Sequence, residues 1–363
     1  MGLDKPYEHP VIYITLQQVK ICFSVPVNCF TFYVIMFHTP RMMKDYKIYI
    51  AVYQLQASFL ELCLELAGPE LYFPMTGGYF YGMAKEFCDN YPGLTFLTIL
   101  FTAGGFCATT MLCFHYRFSQ IRIDLADSQS VWRTNLCTTL IFISGALVMM
   151  WIWQDIDLKN DDSEYLMVLQ QRYPDFHAFL VTMPRAFFMI SRKSYDFWVV
   201  EWTSFPTFTR FITLMVQTTI FSVLILSYRT QKRLNSHMSG MSAGLRNRQQ
   251  KFFRALVIQV VVPFLGLIFP VLVIGYVGLY NTDWFGWMVI VPDQGIINGC
   301  TVIMCCHGIM SSISILVMYD PYRRFTASLL SLFIFRTKSR RFRASALAAG
   351  RLNRATVISA TLF

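Results

Sequence analysis

Charge is scarce in this chain. Only 14% of its 363 residues are Asp, Glu, Lys or Arg, against roughly 25% in soluble domains. Asn-x-Ser/Thr sequons, internal repeats and low-complexity tracts are all missing. So are a Gly-rich phosphate loop, HExxH, GxSxG and any spaced Cys/His set, which removes the usual signatures of nucleotide, zinc-protease and serine-hydrolase chemistry and leaves no enzyme to argue for. No basic stripe carries interleaved aromatics, so nucleic acid is not an expected partner. No cysteine stands between 138 and 299. Nine of the ten cysteines fall in apolar runs and only Cys88 lies in a polar gap. Thiols in such runs behave as small apolar groups. Cys305, Cys306 and His307 are contiguous, but adjacent helical residues point in different directions and zinc needs spaced ligands. Neither a metal nor another cofactor is expected.

Apolar residues fill the space, at 55% of the chain. They gather in seven runs: Val11–Phe37, Ile48–Gly68, Leu94–Phe114, Leu136–Trp153, Phe205–Tyr228, Ala255–Tyr280 and Ile296–Tyr319. Each is close to the ~20 residues that cross ~30 Å of hydrocarbon at ~1.5 Å per residue. The runs are apolar on all sides, unlike the striped helices of soluble proteins. The expected fold is an all-α integral membrane protein, a bundle of seven transmembrane helices.

Charge in the gaps orients that bundle. The first, third and fifth gaps and the tail hold 22 Lys/Arg and 4 acids, whereas the N-terminus and the other gaps hold 7 Lys/Arg and 15 acids. Short basic loops stay cytoplasmic, so the N-terminus is expected outside and the C-terminus inside. About ten residues precede the first run and no small-residue cleavage site follows it, so the first span itself is expected to direct insertion. Residues 1–321 form the spanning unit. Residues 322–336, beginning Tyr322-Arg323-Arg324-Phe325, are too short to span and fit an amphipathic eighth helix on the inner leaflet. Residues 337–363 form a basic tail expected to be disordered, and the five cations of Arg336–Arg343, at its junction with the helix, suit anionic lipid.

Ionisable groups inside spans are costly and mark functional candidates. Glu61 and Glu65 are four residues apart, on one face of the second run, and Lys20 lies at similar depth in the first. Two readings stand: a self-neutralising structural cluster, or a polar patch in a ligand cavity. His307, near the middle of the seventh run, is either a hydrogen-bonded buried histidine or a ligand contact. Asp161 and Asp162 read as solvated loop charge. Pro26 interrupts the first run and Pro263 and Pro270 the sixth; paired prolines suggest a helix that bends, or a static kink satisfied by its neighbours.

Several segments in order carry a family resemblance. His38-Thr39-Pro40-Arg41-Met42-Met43-Lys44-Asp45-Tyr46-Lys47 ends the first span. Leu71-Tyr72-Phe73-Pro74 with Gly78, Tyr79 and Gly82 follows the second. Gln250, Lys251, Ala255, Leu256, Gln259, Pro263 and Pro270 mark the sixth. His307, Gly308, Ser311 and Ser312, then Pro321-Tyr322-Arg323, mark the seventh. Together they resemble the nematode serpentine chemoreceptors of the Str superfamily, most closely class H, with class I a near neighbour. The resemblance implies a G-protein-coupled receptor in the plasma membrane of ciliated sensory neurons. Its partners would be an external odorant or pheromone-like molecule and a heterotrimeric G protein.

On this reading Glu61, Glu65 and His307 are the ligand candidates. Arg117, Arg246, Arg248, Lys251, Arg254, Pro321, Tyr322 and Arg323 are the candidates for coupling or activation. The family tends to keep an acid before the Arg that ends span three, where this chain has His115-Tyr116-Arg117. A disulfide from span three to the second outer loop cannot form, because that loop has no cysteine. A transporter or ligand-gated channel is the competing class. Transporters commonly show repeats and paired broken helices, and an insect-type receptor channel would place its N-terminus inside.

Overall fold

The computed structural model describes residues 10–72, 77–120, 156–159, 187–191, 217, 219–232, 235, 243–280 and 294–332. The expected fourth span, Leu136–Trp153, lies outside them, as do Asp161, Asp162, Arg336–Arg343 and the tail.

Helix α1 is Val11–His38 and α2 is Lys44–Ala67, joined by the 3-10 turn Arg41–Met43. Strands β1 (Pro69–Tyr72) and β2 (Gly77–Phe80) form a hairpin, followed by the short α3 (Lys85–Asn90) and by α4 (Pro92–Gln120). Proline suits the first turn of α4, where its missing N–H has no helical partner to lose. Strands β3 (Ile156–Lys159) and β4 (Phe187–Ser191) come next. Helix α5 covers 219–232. Helix α6 is Ala243–Tyr280, α7 is Gln294–Cys305 and α8 is His307–Met318; α9 covers 320–332. Among the described residues, α1, α2 and Pro92–Tyr116 of α4 are each long and apolar enough to cross a membrane, and α7 with α8 makes a further span bent by 42°.

Helix α2 is the most enclosed. Its buried positions Tyr46, Ile50, Tyr53, Ala57, Leu60 and Leu64 recur at helical spacing, and they pack with Phe106, Phe114 and Leu256 in one core. Helix α1 instead turns Ile12, Leu16, Val19, Phe23 and Phe37 outward. That apolar face is what lipid requires and water would reject.

The all-helical expectation omitted a small sheet. Its order is β1-β2-β4-β3, antiparallel throughout, with Pro69 opposite Phe80, Gly78 opposite Phe187 and Ile156 opposite Ser191. The strands come from the second and fourth gaps, so two segments assigned to one side by their charge meet at one end of the bundle. At the other end the first gap meets the tail: the Thr39 and Tyr322 hydroxyls share a 2.8 Å hydrogen bond, and His38 stacks on Phe325 with ring centroids 3.6 Å apart. Helix α9, over 320–332, overlaps the expected surface segment 322–336 and meets the first gap through Tyr322.

Glycines set the outer end of α2. Gly68 ends the helix at φ 52°, its N–H bonded to the Leu64 carbonyl at 2.8 Å. This is the left-handed cap that glycine adopts without strain. Gly82 lies against the same turn, its N–H 3.0 Å from the Ala67 carbonyl. Cys88, beside it, is a buried free thiol, and burial raises its pKa. A membrane-impermeant maleimide should therefore leave Cys88 unlabelled on intact cells and label it after denaturation, checked by mass spectrometry. Labelling of the native protein would contradict this packing.

Candidate functional site

Two polar stripes face each other across the first two helices. Gln17, Lys20, Ser24 and Asn28 follow one face of α1, and Gln54, Ser58, Glu61 and Glu65 one face of α2, each at helical spacing. Helix α8 adds His307, Ser311 and Ser312, all fully buried. Polar groups withdrawn from water must be hydrogen-bonded or the bundle loses stability, and these side chains bond extensively to one another.

Lys20 pairs with Glu65 at 3.0 Å, and the Ser24 hydroxyl donates to both Glu65 oxygens at 2.8 and 3.0 Å. Glu61 does not join that ion pair. It accepts from the Asn28 amide at 2.6 Å and from the Ile309 N–H at 3.3 Å. Deeper in, the Gln54 amide donates to Ser312 at 2.7 Å and to Ser58 at 3.0 Å, while Ser312 donates to Asn28 Oδ1 at 2.5 Å. The structural-cluster expectation therefore holds for Lys20 with Glu65. Glu61 and Glu65 are only 1% and 3% exposed. An incoming ligand would have to displace Asn28, Ser24 or Lys20 to reach them.

The cluster surrounds a break in span seven. Helix α7 ends at Cys305 and α8 begins at His307, with no proline in either. In an unbroken helix the Ile309 N–H would bond the Cys305 carbonyl, four residues back. Here the Cys305 carbonyl accepts from Lys20 Nζ at 2.7 Å, and the Ile309 N–H donates to Glu61. The cation thus meets the carbonyl end of one half-helix and the anion the N–H end of the other, which is the favourable sense for both dipoles. Gly308 makes room: a Cβ there would lie 2.3 Å from Glu61 Oε2 and 3.0 Å from Glu61 Cβ. The sequence places paired prolines in span six, yet α6 is one helix through both, and the break falls where side chains from other spans replace the lost bond.

His307 sits at the same level. Its Nδ1 lies 2.8 Å from the Met304 carbonyl, which can only accept, so this nitrogen carries the proton. The ring meets Phe106 of α4 edge-on at 5.5 Å. Nearer the sheet a second polar group ties α7 to β1. Glu70 accepts from Asn298 at 2.7 Å and from Tyr72 at 2.8 Å, and Gln294 donates to the Leu71 carbonyl at 2.9 Å. Burial raises the Glu70 carboxyl above its ordinary value while these hydrogen bonds act the other way.

The coupling candidates lie apart, at the opposite end. Lys251 and Arg254 are exposed on α6. Tyr322 is buried, Pro321 half-buried, and Arg323 exposed in an ion pair with Asp320. Arg117, Arg246 and Arg248 lie on described helices, but their side chains fall outside the described residues. Two residues before Arg117, His115 is buried, and Tyr116 stacks on Tyr49 with centroids 4.3 Å apart. The structure thus brings Glu61, Glu65 and His307 together and separates them from the inner-face set. Asn28, Gln54, Ser311 and Ser312 were missed by a reading that weighed only ionisable groups. For Gln54 the signal was an uncharged amide two helical turns before Glu61 on the same face of α2, and for Asn28 an amide two turns after Lys20 on α1.

Residues 8–332 match the family described as serpentine type 7TM GPCR chemoreceptor Srh. Among solved structures the chain is similar to the crystal structure of squid rhodopsin, at 10% identity and a TM-score of 0.49, covering 92% of this chain and 88% of that one. A search of curated proteins gave no match.

Proposed function

Because the chain belongs to the serpentine seven-transmembrane chemoreceptor family Srh, a family of membrane receptors, we propose that it binds an external small molecule in the outer half of the bundle and activates a heterotrimeric G protein. The observation that carries this reading is the family match over nearly the whole chain. The charge pattern supports it. Basic segments collect on one side, where they offer a surface to an acidic soluble partner and to anionic lipid. The plasma membrane of sensory cilia is the proposed site of action. His307, Glu61 and Glu65 remain the proposed ligand contacts, and all three are buried, so a ligand would have to part the packing around them. Screening odorants in a G-protein reporter cell tests the reading. Silence to a broad volatile and water-soluble panel at normal surface expression would count against it.

Two predictions arise here. An epitope at residue 2 should stain on intact cells and one at residue 363 only after permeabilisation. The reverse pattern would overturn both orientation and receptor. Arg117→Ala should change ligand-stimulated signalling at unchanged surface level, because removing a charge from a desolvated contact costs ~2–5 kcal/mol. Normal signalling would confine Arg117 to anchoring the helix end.

A further inference from the structure

We propose that the break at Cys306 is a two-position hinge, held bent by Lys20 and Glu61, that couples the outer half of span seven to the inner-face segment 320–332. Each half has its own attachments. Helix α7 is tied to the sheet through Asn298 and Gln294. Helix α8 is tied to the first two spans through Ser311 and Ser312, and it leads directly into Tyr322, whose hydroxyl meets Thr39. A force on α7 therefore has a direct route along span seven to the inner face, and that route passes through the break.

The break can exist in two satisfied forms. Bent, the Cys305 carbonyl and Ile309 N–H are served by Lys20 and Glu61. Straight, they serve each other, while Lys20 keeps Glu65 and Glu61 keeps Asn28. In both forms the Cys305 carbonyl and the Ile309 N–H have a partner, which favours switching between discrete positions over gradual deformation. Span six is placed to respond, because Gly266 of α6 packs on this point: a Cβ there would lie 3.0 Å from Met310 Sδ and 3.8 Å from His307 Cα.

Two substitutions should push the hinge in opposite directions. Gly308→Ala drives its Cβ into the Glu61 carboxyl and should favour the straight form. Ile309→Pro removes an N–H that both forms use, but its ring would also clash with the Cys305 carbonyl in the straight form, and proline fits the first turn of α8, so it should lock the bend. The probe is the distance between spin labels on p-acetylphenylalanine introduced at positions 296 and 317, both exposed on their half-helices, in receptor reconstituted into nanodiscs. Opening a 42° bend between segments of ~15 Å each lengthens that distance by about 2 Å at ~1.5 Å rise per residue. Gly308→Ala should move the distribution outward, and Ile309→Pro should narrow it at the shorter value. If Gly308→Ala does not fold, Glu61→Gln, which keeps shape and loses charge, should shift the distance in the same direction. Identical distributions in wild type and in every folded variant would overturn the hinge. This readout needs no G protein, so it stands or falls independently of the receptor reading. If the distances move while basal nucleotide exchange on a purified Gα does not, the hinge survives and its coupling to the inner face is refuted.

Discussion

Lys20→Met should remove most of the receptor from the cell surface, and adding Glu65→Gln should restore a substantial part of it. Glu65 is 1% exposed and Lys20 10% by side chain, so the pair sits where an orphaned charge has no water to turn to. Removing one member of a buried pair typically costs ~3–5 kcal/mol, against a total stability of ~5–15 kcal/mol for a folded domain. The single variant leaves a carboxylate held, among the described residues, by Ser24. The double variant removes that charge, but the Cys305 carbonyl still lacks its donor, a loss of ~1–3 kcal/mol. Rescue should therefore be partial. Surface staining and thermal melting of detergent-purified protein measure both steps. Wild-type levels for Lys20→Met alone would show that the ion pair is not needed for folding.

Gly82→Ala should lower the melting temperature sharply, although it adds one methyl group. The added Cβ would stand 2.0 Å from the Leu66 carbonyl oxygen and 2.5 Å from the Ala67 carbonyl carbon. These are backbone atoms at a helix end and cannot rotate away as a side chain would. Overpacking usually costs ~1–3 kcal/mol, occasionally more, and a rigid backbone neighbour places this site at the upper end. Gly104→Ala on α4 is the control: a Cβ there meets nothing within 4 Å, and alanine should add up to ~1 kcal/mol of helix stability. Equal melting temperatures for the two variants would refute the close approach of Gly82 to the end of α2.

These two sites also show what sequence can and cannot reveal. Span number and orientation were legible because they follow from run length and loop charge, both one-dimensional properties, and the family match over residues 8–332 agrees with seven spans. That Lys20 would find a carboxylate was also legible, since charges at one depth neutralise each other. Which carboxylate it finds was not: Glu61 and Glu65 are one turn apart, and the choice depends on how α7 and α8 meet. The break at Cys306 was hidden for the same reason. It rests on partners 285 and 248 residues distant in sequence, and the prolines that usually announce a kink stand in span six. The sheet was overlooked because each of its strands is only four or five residues long. In the sequence Gly82 stands out only as part of a family pattern; its physical reason is contact with the end of α2.

The measurement that bears most directly on receptor function is nucleotide exchange on a purified Gα subunit by this protein in nanodiscs, with odorants added and ionic current recorded in parallel. The account predicts that at least one odorant accelerates exchange, that Arg117→Ala changes this response, and that no current accompanies it. A ligand-gated current without exchange would contradict the account and identify a channel instead.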